Sequence, residues 1–270
     1  MPRPTFIDVH PAFNSSDSYR VTNEEALAHR ALLSGKRFMT TGAIASSGDV
    51  LLSALLPCSQ KIYAVDHCYG SLSAAMVKAL LLDTMGVRAF KALLLEASYE
   101  AFKAAIIKIQ PELPSPLREA AVTKWGTSIS SSDYSCLRKE WINYPDRALA
   151  VSHKRLGNVT FIHGDLADLS QFGQMDLLYV SNACGHRGRT GQSPTLNTLS
   201  PLVREDGLLL TAVAPSSHRP TLPNPFWKQQ RMMLAPRLQW DYVLYARTAT
   251  PAVPSGQAAP IPEAAASLTV

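Results

Sequence analysis

The chain has 270 residues and a mass of 29.4 kDa, enough for one large domain or two small ones that bury about three-quarters of the surface an unfolded chain exposes. Hydrophobic residues make up 46% and charged residues 17%, with mean hydropathy at -0.01, which excludes a disordered, collagen-like or coiled-coil polymer. Lys and Arg outnumber Asp and Glu by 26 to 21 and the pI is 9.0, but the excess is spread along the chain, so it forms no block that would neutralise many phosphates.

Residues 2–20 are polar and aromatic without periodicity. They lead into Asn23–Ser34, where Asn23 is placed to cap a predicted helix carrying Glu24, Glu25, Ala28 and Leu32. Residues 1–36 are therefore expected to wrap over the site. A strand is predicted over Phe38–Ile44 and, after a tight loop and an apolar helix, a second over Lys61–Val65. Ser71–Met85 and Phe90–Ile109 repeat apolar residues at three- and four-residue spacing, the pattern of amphipathic helices. The connection Gln110–Leu156 is too long for an ordinary loop and predicts a helical insertion or lid carrying Trp125, Tyr134, Trp141 and Tyr144. Further strands are predicted at Val159–His163, Met175–Ser181, Gly207–Ala212 and Asp241–Ala246. From residue 247 the chain reads as a disordered tail: Thr248–Val270 holds Pro251, Pro254, Pro260 and Pro262 and one charge, Glu263. Strands alternating with helices predict an α/β fold, a Rossmann-like, doubly wound, mostly parallel sheet over residues 37–246.

The four cysteines, Cys58, Cys68, Cys136 and Cys184, form no CxxC pair, which leaves zinc ribbons, thioredoxin chemistry and iron–sulfur sites without support. The pairs Asp8/His10 and Cys184/His186 belong to no tetrahedral ligand set, so no metal is expected. The N-terminus lacks a basic start followed by an apolar core, and the most apolar stretch, Ala74–Leu82, is short and interrupted by Lys78. The expectation is a cytoplasmic protein with neither a membrane nor a nucleic-acid partner. The oligomeric state is not readable from the chain.

Three strand ends carry the chemistry. Phe38–Asp49 followed by Lys61–Asp66 reads as strand, glycine-containing loop, helix, strand and acid. In doubly wound folds the ligand lies beyond the carboxyl ends of the strands, where Gly48 lets backbone approach it and Asp66 can accept ribose hydroxyls. The loop glycines are Gly42 and Gly48, not a GxGxxG set, which favours a nucleoside over a pyrophosphate-linked dinucleotide. Val159–Leu166 is a strand ending in Gly164, Asp165 and Leu166, with Asp165 suited to an adenine amino group and Leu166 to its ring. Met175–Asn182 is a buried strand ending in polar Ser181 and Asn182.

The order of these segments across Arg37–Ala246 resembles class I enzymes dependent on S-adenosylmethionine (SAM). More narrowly, Ile44–Asp49, Ala64–Asp66 and Tyr179–Asn182 resemble the 3-amino-3-carboxypropyl transferases of betaine-lipid synthesis, which release methylthioadenosine. The resemblance implies SAM as substrate, contacted by Tyr19, Gly42, Ser46, Ser47, Gly48, Asp49, Asp66, His67, Asp165 and Leu166. Gly48 and Asp49 would meet its amino-acid part. Ser181, Asn182 and Tyr134 would stand at the reacting end. Val50 replaces that family's usual asparagine, and His67–Gly70 replaces its usual Leu-Asn-Pro-Ala, which points to a small acceptor or none. In that respect the chain is similar to azetidine-2-carboxylate synthases, in which the substrate's own amine closes a four-membered ring. A sulfonium suits aromatic neighbours, for which Tyr19, Tyr134, Trp141 and Tyr144 are candidates. The loop Cys184–Arg189 could receive a carboxylate. Ordinary methyl transfer, transfer of the arm to a small acceptor, and a silent SAM-binding module are the competing readings.

Overall fold

The computed structural model describes residues 2–12, 26–122, 145–181, 195–213, 226–234 and 241–248. Its elements in chain order are β1 (Thr5–Asp8), α1 (Ala26–Leu32), β2 (Phe38–Ile44), β3 (Ser59–Asp66), α2 (Tyr69–Leu95), α3 (Tyr99–Ile109), α4 (Ser115–Ala121), α5 (Asp146–Arg155), β4 (Val159–His163), β5 (Met175–Ser181), the one-turn α6 (Leu196–Leu199), β6 (Val203–Val213), β7 (Trp227–Leu234) and β8 (Asp241–Arg247). A wide π-type turn, Leu51–Leu55, stands between β2 and β3, and a 3-10 segment, Leu166–Phe172, between β4 and β5.

The eight strands form one sheet in the order β1-β4-β3-β2-β5-β6-β8-β7. Pairing is parallel from β1 to β6 and antiparallel on both sides of β8. From β2 the chain steps outward to β3 and β4, then returns to the other side of β2 for β5 and β6. The order therefore reverses between β2 and β5, the switch point beyond whose strand carboxyl ends ligands bind in doubly wound sheets. This is the doubly wound, mostly parallel α/β architecture expected from the alternating pattern. Every residue of β5 is buried, as a parallel strand covered on both faces requires.

One face of the sheet packs on α1 to α5, with Leu52, Leu55, Leu72, Leu80, Phe102, Leu149 and Phe161 in a continuous apolar core. The other face is closed by the 3-10 segment, α6 and Trp227, whose Nε1 donates to the Leu196 carbonyl at 2.8 Å. The stretch around Lys78, apolar on all sides, is the buried middle of α2.

The structure departs from the sequence reading in four places. Thr5–Asp8 is an edge strand paired parallel to β4, not a segment over the site; four residues are too few to show a period. β7 has no counterpart among the predicted strands, because its consecutive polar residues Lys228, Gln229 and Gln230 carry little apolar signal. The predicted helix Phe90–Ile109 is split: α2 kinks at Gly86 (φ 72°) and runs on to Leu95, and α3 starts anew where Ser98 accepts the Ala101 N–H at 3.1 Å. Finally, α5 is no lid. Leu149, Ser152 and Leu156 are buried, and Ser152 Oγ donates to the Leu52 carbonyl at 2.5 Å, so the helix leading into β4 belongs to the core.

Candidate functional site

At this switch point, the chain leaves β2 through Ala45, Ser46, Ser47 and Gly48. The Ala45 N–H still bonds the Val65 carbonyl at 2.8 Å, and Gly48 N–H closes a turn on the Ala45 carbonyl at 2.9 Å. Gly48 has φ 83°, and a Cβ on it would lie 2.7 Å from Ala75 Cα, so only glycine lets the loop sit directly on α2. Ser46 adopts φ 46°, which costs a non-glycine residue about 1–2 kcal/mol. That conformation aims its N–H at Asp66 Oδ2, 3.0 Å away.

Asp66 ends β3. Its other oxygen accepts the Cys68 N–H at 3.0 Å, and its carbonyl accepts the Gly164 N–H at 3.0 Å, which ties together the ends of β2, β3 and β4. Burial pushes the Asp66 carboxyl up to about 6, against the opposing pull of His67 and the backbone donors. A half-buried acid at a strand end with fixed orientation is a ready acceptor for a pair of vicinal hydroxyls.

Across the switch point, Ser181 closes β5 with φ 51°, and its carbonyl accepts Thr211 Oγ1 at 2.8 Å. Ala43 pairs with Tyr179, two residues before Ser181, and the register of β5 against β6 shifts between Tyr179 and Ser181. Two serines in the left-handed region thus flank the reversal of the sheet, and such backbone strain concentrates at binding and catalytic sites. Asp165 opens the 3-10 segment, its N–H held by Asp168 Oδ2 at 2.7 Å, and Leu166 packs at the margin of the second core.

A second polar system braces the far side of Asp66. His163 at the end of β4 places Nδ1 2.9 Å from Asp8 Oδ1 and Nε2 3.3 Å from the His67 carbonyl. Tyr69 OH donates to Asp8 Oδ2 at 2.7 Å, and its ring stacks on His163 at 3.8 Å between centroids. Burial and the acceptor Asp8 push the Tyr69 hydroxyl well above its ordinary ionisation. Nearby, His10 Nε2 lies 3.0 Å from Asp168 Oδ2.

Ser46, Gly48, Asp66, His67, Asp165, Leu166 and Ser181 are gathered at one edge of the sheet, as their strand-end positions imply. Three expected ligand contacts, Gly42, Ser47 and Asp49, lie elsewhere. Gly42 is inside β2, where a Cβ would meet Leu169, Leu178 and Met175 within about 3.1 Å; it is a packing position. Asp49 is buried, with Oδ2 accepting Ser47 Oγ at 2.7 Å and Oδ1 paired with Lys78 Nζ at 2.6 Å. Its carboxylate points into the protein, where the ammonium compensates it, and Ser47, also buried, faces the same way. Tyr19, Tyr134, Trp141, Tyr144, Asn182 and Cys184–Arg189 lie outside the described residues. The sequence reading passed over Lys78, Asp8, His163 and Tyr69 as site components. Only Lys78 left a signal: a lone ammonium in an apolar helix must find a buried partner.

Cys58 is pushed up to about 11 by burial and Cys68 is raised by the same cause, so neither thiol is prepared as a nucleophile. Among the described residues, no three His, Cys, Asp or Glu side chains cluster as metal ligands.

Compared with protein-family models and with curated protein sequences, the chain matches none. Among solved structures it is similar to a putative methyltransferase, yhhF, from Escherichia coli, with 14% identity, 84% of this chain and 88% of that one covered, and a TM-score of 0.41. It is also similar to the N-methyltransferase NodS from Bradyrhizobium japonicum WM9, at 9% identity over 84% of this chain and 94% of that one, with a TM-score of 0.40. An rRNA methylase from Streptococcus thermophilus matches at 10% identity over 83% of this chain and 95% of that one, with a TM-score of 0.38.

Proposed function

We propose that the crevice between β2 and β5 binds SAM and that the protein is a SAM-dependent transferase. The observation that carries this reading is the fixed carboxylate of Asp66, gripped from two sides by the Ser46 and Cys68 N–H groups at the topological switch point. That grip orients lone pairs toward a ribose diol, while Asp165 and Leu166 stand one strand away for the adenine. Ser181, strained at the end of β5, stands across the switch point from the loop that carries Ser46. Methyl transfer to a small acceptor is the reaction that needs least beyond this geometry.

A second reading, attack on the 3-amino-3-carboxypropyl arm with ring closure to azetidine-2-carboxylate, is favoured by the motifs Ile44–Asp49 and Tyr179–Asn182. In that reaction the substrate's neutral α-amine displaces the sulfur at the γ-carbon: a carbon–nitrogen bond forms, the carbon–sulfur bond breaks, and methylthioadenosine leaves. Asp49, which that reading gives to the amino-acid end, is instead paired with Lys78, so the arm would be held by backbone groups of the loop.

The test is incubation of the protein with SAM alone, and with candidate acceptors, followed by mass spectrometry. S-adenosylhomocysteine formed only with an acceptor supports methyl transfer. Methylthioadenosine together with azetidine-2-carboxylate from SAM alone establishes the cyclisation in its place. Asp66→Ala should weaken SAM binding by about 1.5–3 kcal/mol, the worth of charge-assisted hydrogen bonds, and unchanged affinity would remove the nucleoside site.

A further inference from the structure

We propose that Lys78, without touching ligand, is the positioning residue of the ligand loop Ala45–Val50. Its ammonium donates to the Ser47 carbonyl at 2.9 Å and to Asp49 Oδ1 at 2.6 Å, and both charged side chains are fully buried. Three residues earlier on the same face of α2, Ala75 receives Gly48 at the closest approach a glycine permits. The loop is therefore docked on α2 twice, by shape at Ala75 and by charge at Lys78.

The same helix begins at the ribose acid: Cys68 is its N-cap, and the Cys68 N–H is one of the backbone donors that hold Asp66. Another is Ser46, inside the clasped loop. One rigid element thus spaces both halves of the site, Asp66 from its N-cap and the loop from its second and third turns. Rigid support behind a contacting group is what keeps a site within the tolerance that binding demands. A buried pair is a poor source of net stability, since apolar residues of similar volume commonly do as well. What the pair supplies here is the placement of the Ser47 carbonyl, and with it the peptide groups that face the crevice. The role rests on reading this loop as the receiver of SAM.

The test uses Lys78→Met and the charge-balanced double variant Asp49→Asn/Lys78→Met, compared with wild type by thermal unfolding, SAM calorimetry and amide hydrogen exchange without ligand. The single variant strands a buried carboxylate, so the double variant decides. Expected for the double variant is cooperative unfolding near the wild-type Tm, exchange in residues 45–50 at least tenfold faster with β2 and β3 unchanged, and SAM affinity at least tenfold weaker. Loop exchange as slow as in wild type overturns the proposal, as does faster exchange with undiminished affinity. A double variant without cooperative unfolding also overturns it, by making the pair a requirement of the fold. If wild type itself takes up no SAM, the SAM reading falls, and loop exchange alone then decides whether Lys78 sets the loop.

Discussion

Asp66 carries the clearest pH signature of any single residue here. Burial raises it above the ordinary carboxylate value, so ionising it costs the ligand-free protein stability: this group's favourable contribution is complete below about pH 4 and is lost as pH rises through about 6. On the proposed reading, ligand binding runs the other way, because ribose hydroxyls would donate to the ionised form. SAM affinity should therefore be roughly tenfold weaker at pH 5 than at pH 7, by one proton taken up per site below the ionisation midpoint. Calorimetry between pH 5 and 8 reads this directly, and a flat profile counts against Asp66 as the ribose acceptor. Gly48 offers a test of shape: Gly48→Ala must place a methyl group 2.7 Å from Ala75 Cα at φ 83°. It should cost about 1–3 kcal/mol, combining overpacking with left-handed strain, and lower the Tm in a thermal melt.

Among the elements, β1 makes a contribution out of proportion to its four residues. It lies at the edge of the sheet, yet Asp8 supplies both the acceptor for Tyr69 OH and the partner of His163 Nδ1. Asp8→Ala would leave two polar groups without that acceptor, one of them on a fully buried imidazole, for a loss of about 1–3 kcal/mol. Chemical denaturation should show the loss with an unchanged m-value, since the change alters stability and not the surface exposed on unfolding. The elements also show where local pattern was informative. Phe38–Ile44, Val159–His163 and Met175–Ser181 were readable to the residue, because short apolar runs bounded by polar turns have few other uses in an α/β chain. β1 and β7 were not, since an edge strand needs less apolar content than a central one. The start of α3 was hidden because apolar spacing continues across Ser98, and only the cap bond there marks a new helix.

At the scale of the whole molecule, a ligand that binds only the folded state shifts the unfolding equilibrium as a unit. With free SAM at one hundred times its Kd, the gain is about 2.7 kcal/mol, and for a chain of this size that corresponds to a Tm rise of roughly 5–10 °C. A thermal shift titration with SAM, set against adenosine and methionine separately, checks whether one crevice takes both ends of the molecule. Additive shifts from the two fragments would fit a single bipartite site.

What the residue order determined by itself was the class of fold and which strand ends meet at one edge of the sheet. Periodicity and turn residues are local, and the doubly wound topology sends the carboxyl ends of parallel strands to one edge, so the shared place of Asp66, Asp165 and Ser181 at that edge follows from the sequence. What only the tertiary structure decided was the direction in which each polar side chain faces. Gly48 and Asp49 are neighbours in one motif, yet Gly48 meets a helix backbone and Asp49 turns inward to an ammonium twenty-nine positions away. Asp8, Tyr69 and His163 converge from three distant segments. Such pairings follow from the need to compensate buried charge and satisfy buried donors, a constraint set in three dimensions that leaves no period in the chain.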